Sequence, residues 1–422
     1  MIRLLHFADA HIDMARQGRH DPETGLPLRV LDFLKSLDAI VDAALEERVD
    51  LVIFAGDAYR DRSPAPTYQR EWGKRMMRLS GAGIQTVLVI GNHDVSPATG
   101  RAHTLQEYDT LKVPHIHVIS RPCLLGPQDL NGLPVQLIGI PWLTRSGWMA
   151  SVETDSANTE NMDDILEEKL TGIIESYLNQ LEPDLPAILT SHVSVQGASY
   201  GNERSVMLGR DLVLPASLVK DARLNYVALG HIHKAQNLNE GSLPPVIYPG
   251  SIERLDFGEI DDRKSFVIAE LEKGAEPRID WRELPGRQFI DLAVEITSAK
   301  GVQDKIMAAL PSPEAMKEAI VRLVLSYPRG MEALMDEPAI RQAAADAFEF
   351  HLIRRPRMQV RLRLSADQSV AALSSLELLD LYWKSMQQPA ADAAALNDLA
   401  AQIIQSVEAG SEVPPLEAGG LP

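Results

Sequence analysis

The sequence predicts an α/β protein built around an open sheet whose working crevice lies at the carboxyl ends of its strands. Two observations carry this reading. Five short apolar runs each end in side chains that bind metals: Asp9-Ala10-His11, Gly56-Asp57, Gly91-Asn92-His93-Asp94, Ser191-His192 and Gly230-His231-Ile232-His233. Between the first two runs lies an amphipathic stretch, Leu28 to Leu45, so strand and helix alternate as they do in βαβ units.

The runs themselves are Ile2 to Phe7, Leu51 to Ala55, Thr86 to Ile90, Ala187 to Thr190 and Tyr226 to Leu229, and each reads as a buried strand. Ligands of open α/β sheets bind beyond the carboxyl ends of strands, which is where all five motifs stand. Any one motif alone is weak, because Asn and Asp favour turns for local hydrogen-bonding reasons. Five in succession are not. Between the third and fourth runs, the polar stretch Ser151 to Asp164 is expected to be a loop leading into a helix around Ile165 to Leu181.

Turn residues at Leu284-Pro285-Gly286-Arg287 close the strand-rich part and define a first domain of residues 1–285, which holds all five motifs. Residues 286–365 then read as a small α+β cap: strand Ile290 to Ile296, helix Val302 to Leu310, strand Ile320 to Ser326, a further helix, and an alternating strand Met358 to Leu364. In residues 366–410 two helical patterns follow, one aligning Leu379, Tyr382, Trp383 and Met386, the other Leu396, Leu399, Ala400, Ile403, Ile404 and Val407. Ser374 with Glu377 makes a capping box for the first helix. The Pro- and Gly-rich tail, 411–422, is expected to be disordered.

A chain of 422 residues exceeds one ordinary core, in keeping with that division. The single cysteine, Cys123, excludes an internal disulfide. With no apolar stretch near the roughly 20 residues of a membrane span and no signal-peptide pattern after Met1, the expected location is the cytoplasm. The net charge of −18 disfavours tight autonomous binding to a polyanion, and residues 366–422 hold one basic side chain against eight acidic ones. Any affinity for a polyanion would have to come from outside the chain's own side-chain charges.

The order and spacing of the five motifs resemble the calcineurin-like metallophosphoesterase superfamily, whose fold is a β-sandwich flanked by helices. Tyr248-Pro249-Gly250-Ser251-Ile252-Glu253-Arg254 narrows the resemblance to the SbcD/Mre-eleven family of DNA repair nucleases. The likeness is strong over residues 1 to about 285 and holds in outline beyond. It implies that Asp57 bridges two divalent ions, with Asp9, His11 and His233 completing one site and Asn92, His192 and His231 the other. Such carboxylate, amide and imidazole ligands suit Mn²⁺ or Fe, and Mn²⁺ is the expected metal. His93 is then the catalytic residue facing the scissile phosphate, and Asp94 tethers its turn.

The implied activity is Mn²⁺-dependent exonuclease and endonuclease cleavage of DNA in double-strand-break repair. DNA contacts are expected from Arg60, Arg62, Arg204, Arg254, Arg361 and Arg363, the last two sharing one face of the strand Met358 to Leu364. No phosphate-binding Gly-x-x-x-x-Gly-Lys-Ser/Thr loop is present, so ATP hydrolysis would belong to an SMC-type ATPase partner of the SbcC/Rad-fifty kind. Docking of that partner is expected on Leu379, Tyr382, Trp383, Met386, Leu399, Ile403 and Val407, and homodimerisation through the catalytic domain.

Two departures from the family pattern stand out. Ser/Thr protein phosphatases carry Gly-Asp-x-x-Asp-Arg-Gly, where the second Asp orients the catalytic His. Here the third residue after Asp57 is Arg60, whose side chain cannot accept a hydrogen bond from His93. Asp13 stands where many relatives have Gly. A stand-alone phosphodiesterase or phosphatase for small substrates, and a scaffold without catalysis, are the competing readings; the complete ligand set argues against the scaffold.

Overall fold

The first strand, β1 (Ile2–Phe7), sorts its side chains by parity between two cores. Leu5 and Phe7 pack with Phe33, Leu37, Ile40 and Val41 of α1 (Leu28–Glu46) and with Trp72, Met76 and Leu79 of α2 (Pro66–Gly81). Ile2 and Leu4 face the other way, into a core shared with Leu137, Ile188, Tyr226, Ala228 and Ile247. That second core is the filling of a two-sheet sandwich.

The structure is a computed structural model that describes residues 1–14, 18–95, 102–143, 162–201, 212–357, 374–385 and 388–408. By compactness the chain divides into Met1–Ile290 with Glu318–Ile320, and Asp291–Lys317 with Val321–Pro422. After β1 the strands of the first unit are β2 (Leu51–Phe54), β3 (Gln85–Val89), β4 (Ile116–Ile119), β5 (Cys123–Leu125), β6 (Gln136–Ile140), β7 (Ala187–His192), β8 (Ser194–Val195), β9 (Val213–Leu214), β10 (Tyr226–Gly230), β11 (Gln236–Asn237), β12 (Val246–Tyr248), β13 (Ser265–Leu271) and β14 (Arg278–Glu283). One sheet runs β14-β13-β1-β2-β3-β4, the other β11-β12-β10-β7-β6-β5, and β8 pairs with β9. All five expected ligand strands form. On the outer face of the second sheet, α3 (Met162–Leu178) packs Leu170, Ile174 and Leu178 against Ile138, Leu189 and Val227.

The α3 helix begins three residues before the expected Ile165 and stops before Leu181, because a turn at Asn179 and Gln180 intervenes ahead of Pro183. The expected loop from Ser151 falls outside the described residues up to 161, and Met162 to Asp164 are already helical.

In the second unit, β15 (Phe289–Glu295), β16 (Ile320–Pro328) and β17 (Glu349–Arg357) form a three-stranded sheet in that order. Helices α4 (Val302–Ala309) and α5 (Glu337–Ala343) close a core of Val294, Ile296, Val302, Ile306, Leu323, Leu325, Tyr327 and Ile340. The expected strand Met358 to Leu364, with Arg361 and Arg363, lies outside the described residues. Among the described residues the last strand of the cap, β17, includes Pro356, which it tolerates as the edge of the sheet.

Helices α6 (Ser375–Ser385) and α7 (Ala390–Glu408) pair as a hairpin, tied by Trp383 Nε1 donating to Asn397 Oδ1 at 3.0 Å. The capping box forms as expected: the Ser374 hydroxyl and backbone N–H both donate to Glu377, each at 2.7 Å. No described side chain of the hairpin is buried, and Leu399 is 38% exposed. Among the described residues no helix is long and apolar enough to cross a membrane.

One buried polar pair links the two sheets. His6 Nδ1 lies 3.1 Å from the Tyr226 hydroxyl, and burial holds the imidazole down at about 3. The folded state therefore refuses a proton that the unfolded chain accepts below about pH 6.5, so stability contributed by neutral His6 is lost as pH falls from there. On the order of 3 kcal/mol should disappear between pH 6.5 and 4. Urea unfolding at both pH values should show a shallower pH dependence for His6→Gln than for wild type by that amount; equal slopes would refute the assignment.

Candidate metal centre

Strand register sets the level at which the motifs emerge. Phe7 pairs with Phe54 across β1 and β2, and Phe54 with Leu88 across β2 and β3, so Asp9, Asp57 and Asn92 leave the first sheet side by side. In the second sheet His192 pairs with Gly230, which places His231 beside it. The turns are conformationally costly. Asp9, His11, Asp57 and His231 all have positive φ (50°, 39°, 64° and 97°), a region that costs a non-glycine residue about 1–3 kcal/mol and persists only where neighbours enforce it.

The enforcement is visible in the hydrogen bonds. Asp9 N–H donates to the Gly56 carbonyl at 3.0 Å, and Ala10 and His11 N–H donate to the Asp57 carbonyl at 2.9 and 3.2 Å. His231 N–H donates to the Asp9 carboxylate at 3.1 Å. Buried Asp94 accepts from the N–H groups of Asp57, Ala58 and Gly91 at 2.9, 3.1 and 2.9 Å and from the Thr104 hydroxyl at 2.9 Å. Asp94 is thus a tether for the turn, as the sequence implied.

Within this frame Asp9, His11 and His233 form one cluster and Asp9, Asp57 and His192 another, with one ligand atom of each residue within 4.8 Å of the others. Asp57 Oδ2 lies 3.7 Å from His11 Nε2 and 3.5 Å from His192 Nε2, between the two groups. Asn92 Oδ1 is 2.9 Å from His192 Nε2 and 3.2 Å from His231 Nδ1. The sequence-selected ligands are therefore together.

The donor set fits divalent cations. His192 Nδ1 donates to the Ala55 carbonyl at 2.7 Å and His233 Nδ1 to Glu259 at 2.9 Å, which leaves each Nε2 to turn inward as a lone pair. Facing these are Asn92 Oδ1, Asp57 Oδ2 and, 3.3 Å from His233 Nε2, His11 Nε2. Converging acceptors repel one another unless positive charge stands among them.

Residues 2–235 match the calcineurin-like phosphoesterase family. The chain belongs to that family. Among curated relatives, the phosphoesterase is 28% identical over 294 residues to the SbcD component of the SbcCD nuclease of Bacillus subtilis (strain 168), spanning 67% of this chain and 69% of the relative. It is 27% identical over 398 residues to the corresponding SbcCD nuclease component of Escherichia coli (strain K12), spanning 90% and 92%. Over 335 residues it is 24% identical to the DNA double-strand break repair protein Mre11 of Archaeoglobus fulgidus, spanning 76% and 67%.

Electrostatics agree with the geometry of a phosphoesterase centre. Burial works against the Asp57 carboxylate, but His192, His93 and His11 outweigh it and hold its pKa well below the usual carboxylate range. Burial pushes the Asp9 carboxyl up to about 6 against His192 and His233. His192 is disfavoured as a cation by burial, yet Asp57 and Asp9 hold it up at about 9. The pocket favours positive charge, and a metal bound there would displace protons.

His93 stands beside this cluster, its ring 5.2 Å from that of His11. Its N–H donates to Asp57 Oδ1 at 2.8 Å, and its Nδ1 is 2.8 Å from the Arg60 carbonyl oxygen. Burial lowers its pKa, with Asp57 opposing. The sequence excluded the Arg60 side chain as acceptor for His93; the main chain of the same residue supplies one. Asp13 fixes that peptide, accepting from the N–H of Arg60 and Asp61. The two departures from the family pattern are thus one device. Asp13→Ala should lower kcat by up to ~10²-fold, the cost of a 1 Å misplacement, with KM unchanged and Asp13→Asn intermediate; an equal rise in KM would point to general disorder instead.

Other site residues escaped the sequence reading. Trp142, its N–H donating to the Ile90 carbonyl at 2.7 Å, lies over His231 at 5.1 Å and near His192 at 6.1 Å. The clue was that β6 also ends at this crevice, without a ligand. Glu259 and Lys264, behind His233, gave no clue. Of the expected DNA contacts, Arg60 is half-buried and Arg62 exposed, while Arg254 donates to the Asp262 carbonyl at 2.9 Å and the Arg287 carbonyl at 3.4 Å. Arg204, Arg361, Arg363 and Met386 lie outside the described residues. Leu379, Tyr382 and Trp383 are half-buried on α6, Ile403 is half-buried on α7, and Val407 also lies on α7.

Proposed function

We propose that this phosphoesterase is a Mn²⁺-dependent DNA exonuclease and endonuclease, the nuclease component of an SbcCD-type complex acting in double-strand-break repair. The observation that carries the reading is Asp57 Oδ2, set between His11 and His192 with Asn92 completing the array. Asp9, His11 and His233 would hold one ion and Asn92, His192 and His231 the other, with Asp57 contributing to both. Two such ions would supply a nucleophile at neutral pH and neutralise nonbridging phosphate oxygens. His93, its Nδ1 donating to the Arg60 carbonyl, would in its imidazolium form deliver a hydrogen bond or the proton of Nε2 to the departing oxygen.

Support for DNA as the substrate comes from the named relatives and from the 92% span of one of them. The SbcCD name of two relatives supports a second, SbcC-type subunit as partner; that this partner is an SMC-type ATPase docking on the half-buried apolar side chains of α6 and α7, and that the chain is a cytoplasmic homodimer, are further parts of the proposal. Arg60, Arg62, Arg204, Arg254, Arg361 and Arg363 are the proposed DNA contacts. A catalytic domain of 1–285, a cap of 286–365 and a partner-binding region of 366–410 complete the proposal.

The test is end-labelled duplex DNA incubated with the purified chain in Mn²⁺, with and without an SbcC-type ATPase and with EDTA. Metal-dependent shortening or nicking of the duplex supports the reading. Hydrolysis of a small phosphodiester with intact duplex, even when the ATPase is present, would overturn it in favour of a small-substrate phosphodiesterase.

A further inference from the structure

A buried ion pair stands directly behind one half of the metal centre. Glu259 and Lys264 are each only 2% exposed. Glu259 Oε1 takes the His233 Nδ1 hydrogen bond at 2.9 Å, while its Oε2 accepts from Lys264 Nζ at 2.8 Å and from Leu255 N–H at 2.9 Å. Lys264 Nζ also reaches the Ser251 hydroxyl at 2.8 Å and the His233 carbonyl at 3.4 Å. Every polar atom at the end of both side chains is committed. Behind His192, in the other half, stands a neutral acceptor, the Ala55 carbonyl.

Stability alone does not account for such a pair. Desolvating two charges offsets most or all of their attraction, and apolar replacements of equal volume are often neutral or better. A carboxylate behind a ligating imidazole does something an apolar group cannot: it fixes the tautomer, aims Nε2 at the metal and raises the ligand's basicity. Lys264 balances the carboxylate charge without touching the centre, and through Ser251 and the His233 carbonyl it ties the start of β13 to the ligand turn.

We propose that Glu259 and Lys264 form a positioning pair that sets the metal affinity of the Asp9–His11–His233 site and leaves the Asn92–His192–His231 site unaffected. The proposal rests on the two-metal reading above. It makes two of the ligands unequal, His233 being supported by a charge and His192 by a neutral carbonyl.

Mn²⁺ titration of the full chain, followed by the electron paramagnetic resonance signal of free Mn²⁺, tests it without any substrate. Wild type should bind two equivalents. In Glu259→Gln one equivalent should weaken by about tenfold, and in the double variant Glu259→Leu/Lys264→Met, which leaves no lone buried charge, by ~10–100-fold, with the other equivalent unchanged. Circular dichroism and thermal melting check that each variant is folded, and Glu259→Gln keeps the test open should the double variant fail. Two equivalents at wild-type affinity in folded variants, or equal weakening of both, would overturn the pairing alone. A wild-type chain binding fewer than two ions overturns the two-metal reading and this inference together.

Discussion

His93→Ala should cut phosphodiester turnover by ~10²–10⁴-fold, the range for loss of a positioned acid or base, while two equivalents of Mn²⁺ remain bound. The separation follows from geometry. His93 contributes its backbone N–H, not its ring, to Asp57 at 2.8 Å, so alanine preserves the bond that holds the shared carboxylate. The ring is instead anchored through Nδ1 to the Arg60 carbonyl, leaving Nε2 for the substrate. Leaving-group dependence then tells what Nε2 does. If it protonates the departing oxygen, the deficit should be large for a nucleic acid 3′ oxygen and small for a p-nitrophenyl phosphodiester, whose leaving group needs no proton. An equal deficit on both substrates would rule out proton delivery and leave stabilisation of phosphate charge as the role.

The candidate metal ligands stood out in the sequence because their chemistry is restrictive. Few residue types coordinate a divalent ion, and buried strands announce their carboxyl ends by an abrupt change from apolar to polar. Register then did the assembling, through pairs such as Phe7 with Phe54 and Gly230 with His192, which no single motif encodes. The supporting residues were illegible for the opposite reason. Glu259 lies 26 residues from His233, and Asp13 lies 47 from Arg60, so their partnership exists only in three dimensions. The acceptor for His93 is a main-chain carbonyl, which every residue possesses, and attention to side chains alone excluded it. In the cap, the pattern did not show the strand Glu349–Arg357, which takes in Pro356 where alternation is broken; an edge strand accommodates proline.

Gly91→Ala should abolish productive metal binding although it adds a single methyl group. Gly91 does not have a positive φ, so no backbone strain opposes alanine there; the obstacle is space. A Cβ at residue 91 would sit 2.1 Å from Asp57 Oδ1 and 2.5 Å from the Asp57 backbone nitrogen. Neither atom can retreat. The nitrogen donates to Asp94 at 2.9 Å, and Oδ1 accepts from His93 N–H at 2.8 Å, so relief requires rotating the carboxylate away from His11 and His192 or opening the turn. Asp57 is a ligand of both ions in the proposed centre, so both should weaken by more than the ~10–100-fold of a lost supporting contact. Overpacking should lower stability by about 1–3 kcal/mol, visible as a reduced melting temperature in EDTA. The decisive comparison is the melting shift caused by Mn²⁺, expected to be clear for wild type and absent in Gly91→Ala. A Mn²⁺ shift of wild-type size in the variant would mean that Asp57 is not the residue joining the two halves.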